Sequence, residues 1–182
     1  MSLLLAIAVA LAEPAATPAH EPAAVEDAEV LPTPFTADQI RTAMPVGRVI
    51  DWAETQGDTT TLKRWTVTAA DGDTATVRFE GIGANGVLQK GEAADKTFTF
   101  EELRSHASFP SALATRAAVE ITGPVGAGAG WRYVVRSPPG VEPATVTTFT
   151  FATSLPGAPV RMETRAGDTV VHELKQTRRA GP

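Results

Sequence analysis

The sequence predicts a mainly β fold, a strongly curved antiparallel meander sheet or half-barrel carrying two short helices. Three observations predict it. Apolar and polar residues alternate with period two over about ten short runs. Turn-forming residues such as Gln56-Gly57-Asp58, Asp71-Gly72-Asp73 and Asn85-Gly86 separate those runs at fairly regular spacing. No long helical period alternates with the runs, which argues against a parallel α/β sheet. The composition agrees: 43% of residues are hydrophobic and 20% charged, and the core builders are mostly Val, Ala and Thr. Val and Thr are stiff at χ1 and suit a pleated surface.

The chain has 182 residues and begins MSLLLAIAVALA. This apolar run is shorter than the roughly 20 residues of a membrane span. It has the form of a secretory signal, with Ala10-Leu11-Ala12 as the small-x-small cleavage site. Residues 1–12 are therefore expected to be a signal peptide, with no transmembrane span in the mature protein and a periplasmic or secreted destination. Residues 13–34 alternate Pro, Ala and acid without an apolar period and are expected to be a disordered linker. His20 lies inside it with no partner nearby. The β-rich domain is expected over 35–178, with a disordered tail at 179–182.

Five of the 21 acids (Glu13, Glu21, Glu26, Asp27 and Glu29) fall in the first thirty residues, where there is no Lys or Arg, and the other 16 balance the 16 Lys and Arg one for one. A formally neutral domain lacks the clustered cations that nucleic acid needs, so no nucleic-acid partner is expected. There is no Cys, which rules out disulfides, thiolate metal sites and a Cys nucleophile.

Thr36-Ala37-Asp38-Gln39 is a capping box, and a short helix is expected from Ala37 to about Met44, closed by Pro45. Thr99 and Glu102 repeat the device for a second short helix within 98–107, with Leu103 facing inward. Strands are expected at 46–54, 61–69, 74–82, 87–90, 96–100, 116–122, 131–137 and 144–151. Residues 154–174 supply two more as a hairpin. Val160 and Met162 share one face of its first strand, and Val170, His172 and Leu174 share one face of its second. Matching the apolar faces predicts Val160 opposite Leu174 and Met162 opposite His172, around the loop Ala166-Gly167-Asp168.

Searches for chemistry return little. His172 reads as a core histidine giving its ring N–H to a carbonyl or Thr; the alternative is a base or ligand in a pocket. His106 near the end of the second helix suits the helix dipole. The GAGAG run at 126–130 leads into a strand and lacks a following Lys-Ser/Thr, so it reads as a flexible connection or bulge rather than a phosphate loop. Asp71-Gly72-Asp73 reads as a turn, because the twelfth position of a calcium loop would be Ile82. No catalytic, metal or cofactor residue is assigned, and no enzyme is expected. Trp52, Trp65 and Trp131 all fall in expected strands, with Tyr133 on the face of Trp131. They are read as core packing or as the lining of a concavity. With Met162 and His172 they are the candidate ligand-lining residues.

Three stretches carry a family resemblance. They are F-T-x-x-Q-I-R-x-A-x-P-x-G over Phe35 to Gly47, F-x-E-L-R-x-H-A-x-F-P over Phe100 to Pro110, and W-R-Y-x-V with L-P-G-x-P-V-R-M-E over Trp131 to Val135 and Leu155 to Glu163. In these the chain resembles a family of exported bacterial proteins of unknown function. At the level of architecture that layout resembles the Lol lipoprotein carriers. The resemblance implies a curved antiparallel sheet with helices on its concave side and a lipid or lipidated protein as partner. The other expectation is an envelope interaction module with a filled core and no ligand cavity.

Overall fold

The computed structural model describes residues 29–83, 86–89 and 93–181. The expected signal peptide, most of the expected linker and Asn85 of the expected tight turn lie outside the described residues. The elements run α1 (Ala37–Ala43), β1 (Val49–Gln56), β2 (Thr59–Ala70), β3 (Thr74–Ile82), β4 (Ala94–Thr99), α2 (Phe100–Ser105), β5 (Ala114–Gly123), β6 (Gly126–Arg136), β7 (Thr145–Ala152), β8 (Arg161–Ala166) and β9 (Thr169–Ala180).

All nine strands form one antiparallel sheet in the order β4-β3-β2-β1-β9-β8-β7-β6-β5. It consists of two meanders, β1–β4 and β5–β9, joined where the last strand pairs with the first. The sheet is curved but not closed, with β4 and β5 at its edges. The chain passes from one edge to the other through α2 and the segment after it, and so must cross the hollow side. That crossing brings Phe100, Ala107 and Phe109 into a core with Val67, Ala75 and Val77 of the first meander and Tyr133 and Phe151 of the second.

Both helices start as the sequence dictates. Thr36 Oγ1 accepts from Gln39 N at 3.2 Å while Thr36 N donates to Gln39 Oε1 at 2.9 Å. Thr99 Oγ1 accepts from Glu102 N at 3.0 Å, and Thr99 N donates to Glu102 Oε2 at 2.7 Å. With two orphan donors satisfied at each start, a helix of two turns can hold against a sheet. Ile40 and Phe100 are the residues each buries. Asp71 closes the β2–β3 turn, its Oδ1 accepting from Asp73 N at 2.9 Å and Thr74 N at 2.6 Å.

Several expectations need correction. Residues 29–34 are not wholly a linker: Leu31 N donates to Phe109 O at 2.9 Å, Ser111 N to Glu29 O at 2.8 Å, and Val30 bridges Pro110. Pro-rich composition hid this, because the segment pairs with a loop rather than a strand. Residues 179–180 are not a tail either. β9 runs to Ala180, with Arg179 opposite Ile50 and Ala180 opposite Val49. Residues 87–89 are no strand, making one bridge, Ile82 to Leu88. The glycine run belongs to β6: Gly126 pairs with Gly123, and Gly130 with Val119 and Ala152. At Gly130 a Cβ would lie 2.2 Å from Ile121 Cδ1 and 2.4 Å from the Phe151 carbonyl oxygen, so close approach of neighbouring strands requires glycine there.

The 160–174 hairpin also differs. Met162 pairs with Leu174 and Thr164 with His172, and the register then shifts so that Arg165 meets Val170 and Ala166 meets Thr169. Gly167-Asp168 is a two-residue loop, with Gly167 at φ 57°. Such a loop would turn one apolar face outward, but Val171 is left unpaired as a bulge and restores the alternation. Val170 and Val171 are exposed as a result.

Candidate binding cavity

Side chains of one parity from seven of the strands meet in the hollow of the sheet. Ile50 and Trp52 come from β1, Trp65 and Val67 from β2, Val77 and Phe79 from β3, and Phe98 from β4. The second meander adds Phe149, Phe151, Met162 and Leu174, and the helices add Ile40, Met44 and Leu103. They do not fill the space. They line a partly open cavity of about 420 Å³, within the roughly 300–1,000 Å³ common for small-molecule sites.

The wall on the first meander is a run of rings. Trp52 and Trp65 have centroids 4.6 Å apart, Trp65 and Phe79 5.2 Å, Phe79 and Phe98 6.3 Å, and Phe98 and His106 6.1 Å. These spacings suit tilted and edge-on ring contacts. Trp65 directly opposes Phe79 in the β2–β3 register. Trp52 has no solvent exposure. The opposite wall is Phe149, Phe151 and Met162, supported by Phe109 and Tyr133 behind them.

Three of the six expected lining residues, Trp52, Trp65 and Met162, line this cavity. The other three do not. Tyr133 is fully buried in the core and donates from its hydroxyl to the Pro32 carbonyl at 2.6 Å. Burial pushes the Tyr133 hydroxyl above its ordinary value, with nearby Arg116 opposing, so it stays a donor at neutral pH. Trp131 packs beside it under the Arg116 guanidinium, 3.5 Å from the ring centroid. His172 stands at the rim, not in the core. Its partner is Glu54, with Nε2 at 3.0 Å from Oε1, rather than the expected carbonyl or Thr. Lys63 pairs with the other oxygen of Glu54. The Lys63 hydrogen bond first, and that from His172 after it, hold the Glu54 carboxyl below its ordinary value against the opposing effect of burial.

Sequence reasoning missed the polar part of the lining. Arg48, Lys96, His106 and Arg179 all border the cavity, and no Asp or Glu does so among the described residues. Lys96 lies 4.6 Å from the Phe98 centroid. The segment Pro156–Pro159 forms another part of the border, held by Gln176, which is buried and donates from Nε2 to Pro159 O at 2.9 Å and Ala158 O at 3.3 Å. Arg179 reaches the cavity side because of a bulge. Asp51 pairs with Arg178 and Trp52 with Gln176, so Thr177 is the extra residue. Without it Arg179 would fall on the outer face.

Among the described residues no three His, Asp or Glu side chains gather as metal ligands, and no helix is long and apolar enough to cross a membrane. No known family matches the sequence, and no curated protein does.

Proposed function

We propose that this is an exported, non-enzymatic binding domain that holds an apolar or lipid ligand in the hollow of its curled sheet. The observation that carries the reading is the cavity of about 420 Å³ walled by Trp, Phe, Met, Leu, Ile and Val side chains. Native interiors are close-packed, with few voids larger than a water molecule. A space this large and this apolar costs stability when empty, and an apolar ligand recovers the lost contacts. The resemblance to the Lol carriers is consistent with the same reading.

Native mass spectrometry of the full-length product, recovered from the periplasmic or secreted fraction, tests it. Co-purified species with lipid masses are expected. They should be lost in Met162→Trp, which fills the space from one wall. A wild-type protein that carries no lipid and does not bind the neutral apolar dye Nile red would sink the reading.

The alternative, a protein-interaction module, draws on the edge strand β5. It is ten residues long and has a strand neighbour on one side only, a template for strand addition. Under that reading Met162→Trp leaves binding of the partner unchanged.

A further inference from the structure

The cavity is apolar in its walls and cationic in its few polar groups. Arg179 donates from Nη1 to Leu155 O at 3.1 Å and from Nη2 to Pro156 O at 2.8 Å. Arg48 donates from Nε to Ala43 O at 3.1 Å and from Nη1 to Gly181 O at 3.5 Å. All four acceptors are backbone carbonyls. Among the described residues neither guanidinium has a carboxylate within ion-pair distance, whereas Arg64, Arg78, Arg104, Arg161 and Arg165 each do.

Carbonyl dipoles orient a guanidinium but do not neutralise it. Taking an ion out of water without a counter-charge is costly. The cost shows at Arg179, held down to about 10 by burial first and by the positive charge of Arg48 second. It is still protonated at neutral pH. Two like charges have thus been brought near each other at the edge of an apolar space, and among the described residues each uses two of the five N–H donors a guanidinium carries. Carbonyl capping accounts for those two bonds. It does not account for two cations placed near each other with no acid beside them among the described residues.

Resting on the ligand-binding reading, we propose that the ligand is an amphiphile with one acyl chain and an anionic head group, the chain lying along the aromatic wall and the head held by Arg48 and Arg179. A carboxylate and a phosphate monoester share the required chemistry, since both accept paired N–H donors from a guanidinium fork. The head supplies a counter-charge to both guanidinium groups, and the chain fills the void.

Tryptophan emission reports on binding, because Trp52 and Trp65 line the cavity. The full chain is titrated with dodecanoate, dodecyl phosphate, dodecanol and inorganic phosphate, each below its aggregation concentration. Dodecanoate and dodecyl phosphate should bind about tenfold or more tighter than dodecanol, as expected for charge-assisted hydrogen bonds. Arg48→Gln and Arg179→Gln should each erase that preference while leaving dodecanol affinity unchanged, and Arg179→Lys should keep part of it. Equal affinity of wild type for acid and alcohol overturns the head-group assignment and leaves the cavity reading standing. Failure of every chain to bind overturns both. Inorganic phosphate competing as well as dodecyl phosphate would mark a free-anion site and overturn the amphiphile. Because the wild-type comparison decides between these outcomes, a variant that fails to fold does not shelter the proposal.

Discussion

On the outer face of the sheet Arg64 grips Asp51 with two bonds of 2.6 and 2.9 Å, Arg78 grips Asp95 with bonds of 2.8 and 2.9 Å, and Arg161 and Arg165 share Glu163. In the hollow, among the described residues, Arg48 and Arg179 meet only carbonyls. The difference teaches where the fold is self-sufficient. The outer face pairs several of its charges with a cross-strand or near neighbour, and water screens the rest. The inner face leaves positive charge and volume uncompensated in the same place, which is the condition of a site rather than of a core.

The largest way to break this contrast is to remove the inner wall. Trp52→Ala deletes a fully buried ring and should cost about 3–5 kcal/mol in chemical denaturation. A loss near zero would mean the wall is not part of the cooperative core. Next is the strongest outer pair. Asp51 is only 8% exposed, so Arg64→Met strands its carboxylate and should cost about 1–3 kcal/mol. Arg178, 3.7 Å from Asp51, limits the loss.

Tyr133→Phe sharpens the boundary between core and cavity. It removes the bond to Pro32 and should cost about 1 kcal/mol. It should also speed proteolytic cutting within residues 29–34, while the affinity for a cavity ligand stays as in wild type.

The rim sits between the two regimes and is read by pH. The Glu54 carboxyl titrates below its ordinary value in the folded protein. Its contribution to stability is therefore present above the ordinary carboxylate pKa and lost as pH falls through the lowered folded value. Denaturation midpoints of wild type and Glu54→Gln should converge across that acid window and differ at neutral pH. The smallest expected effect is Arg78→Gln on the outer face. Its pair with Asp95 is solvent-exposed, and the shift in midpoint should be barely measurable and vanish at high salt.

Much of this molecule is legible in the chain. Thr36 with Gln39 and Thr99 with Glu102 mark both helices, because a capping box is a local geometry with no distant partner. Alternation places Trp52, Trp65 and Met162 on the inner face for the same reason. Trp131 and Tyr133 are also on that face, yet they pack under Arg116 and against Phe109 instead of lining space. Period two reports which face a residue takes, not whether anything stands opposite it. The hairpin shows a second limit: Met162 meets Leu174 rather than His172, and Val170 meets Arg165 instead of sharing the face of His172 and Leu174, because a bulge at Val171 resets the register.

By itself, then, the amino-acid order determined most of the strands, the two caps, the Asp71 turn and the apolar parity of the inner wall, all of which rest on contacts within a few residues. Only the tertiary structure decided that β9 inserts beside β1, that the Thr177 bulge turns Arg179 inward, and that Arg179 comes near Arg48. Those outcomes depend on pairings more than a hundred residues apart, where a single extra residue inverts a face, and no local pattern carries that information.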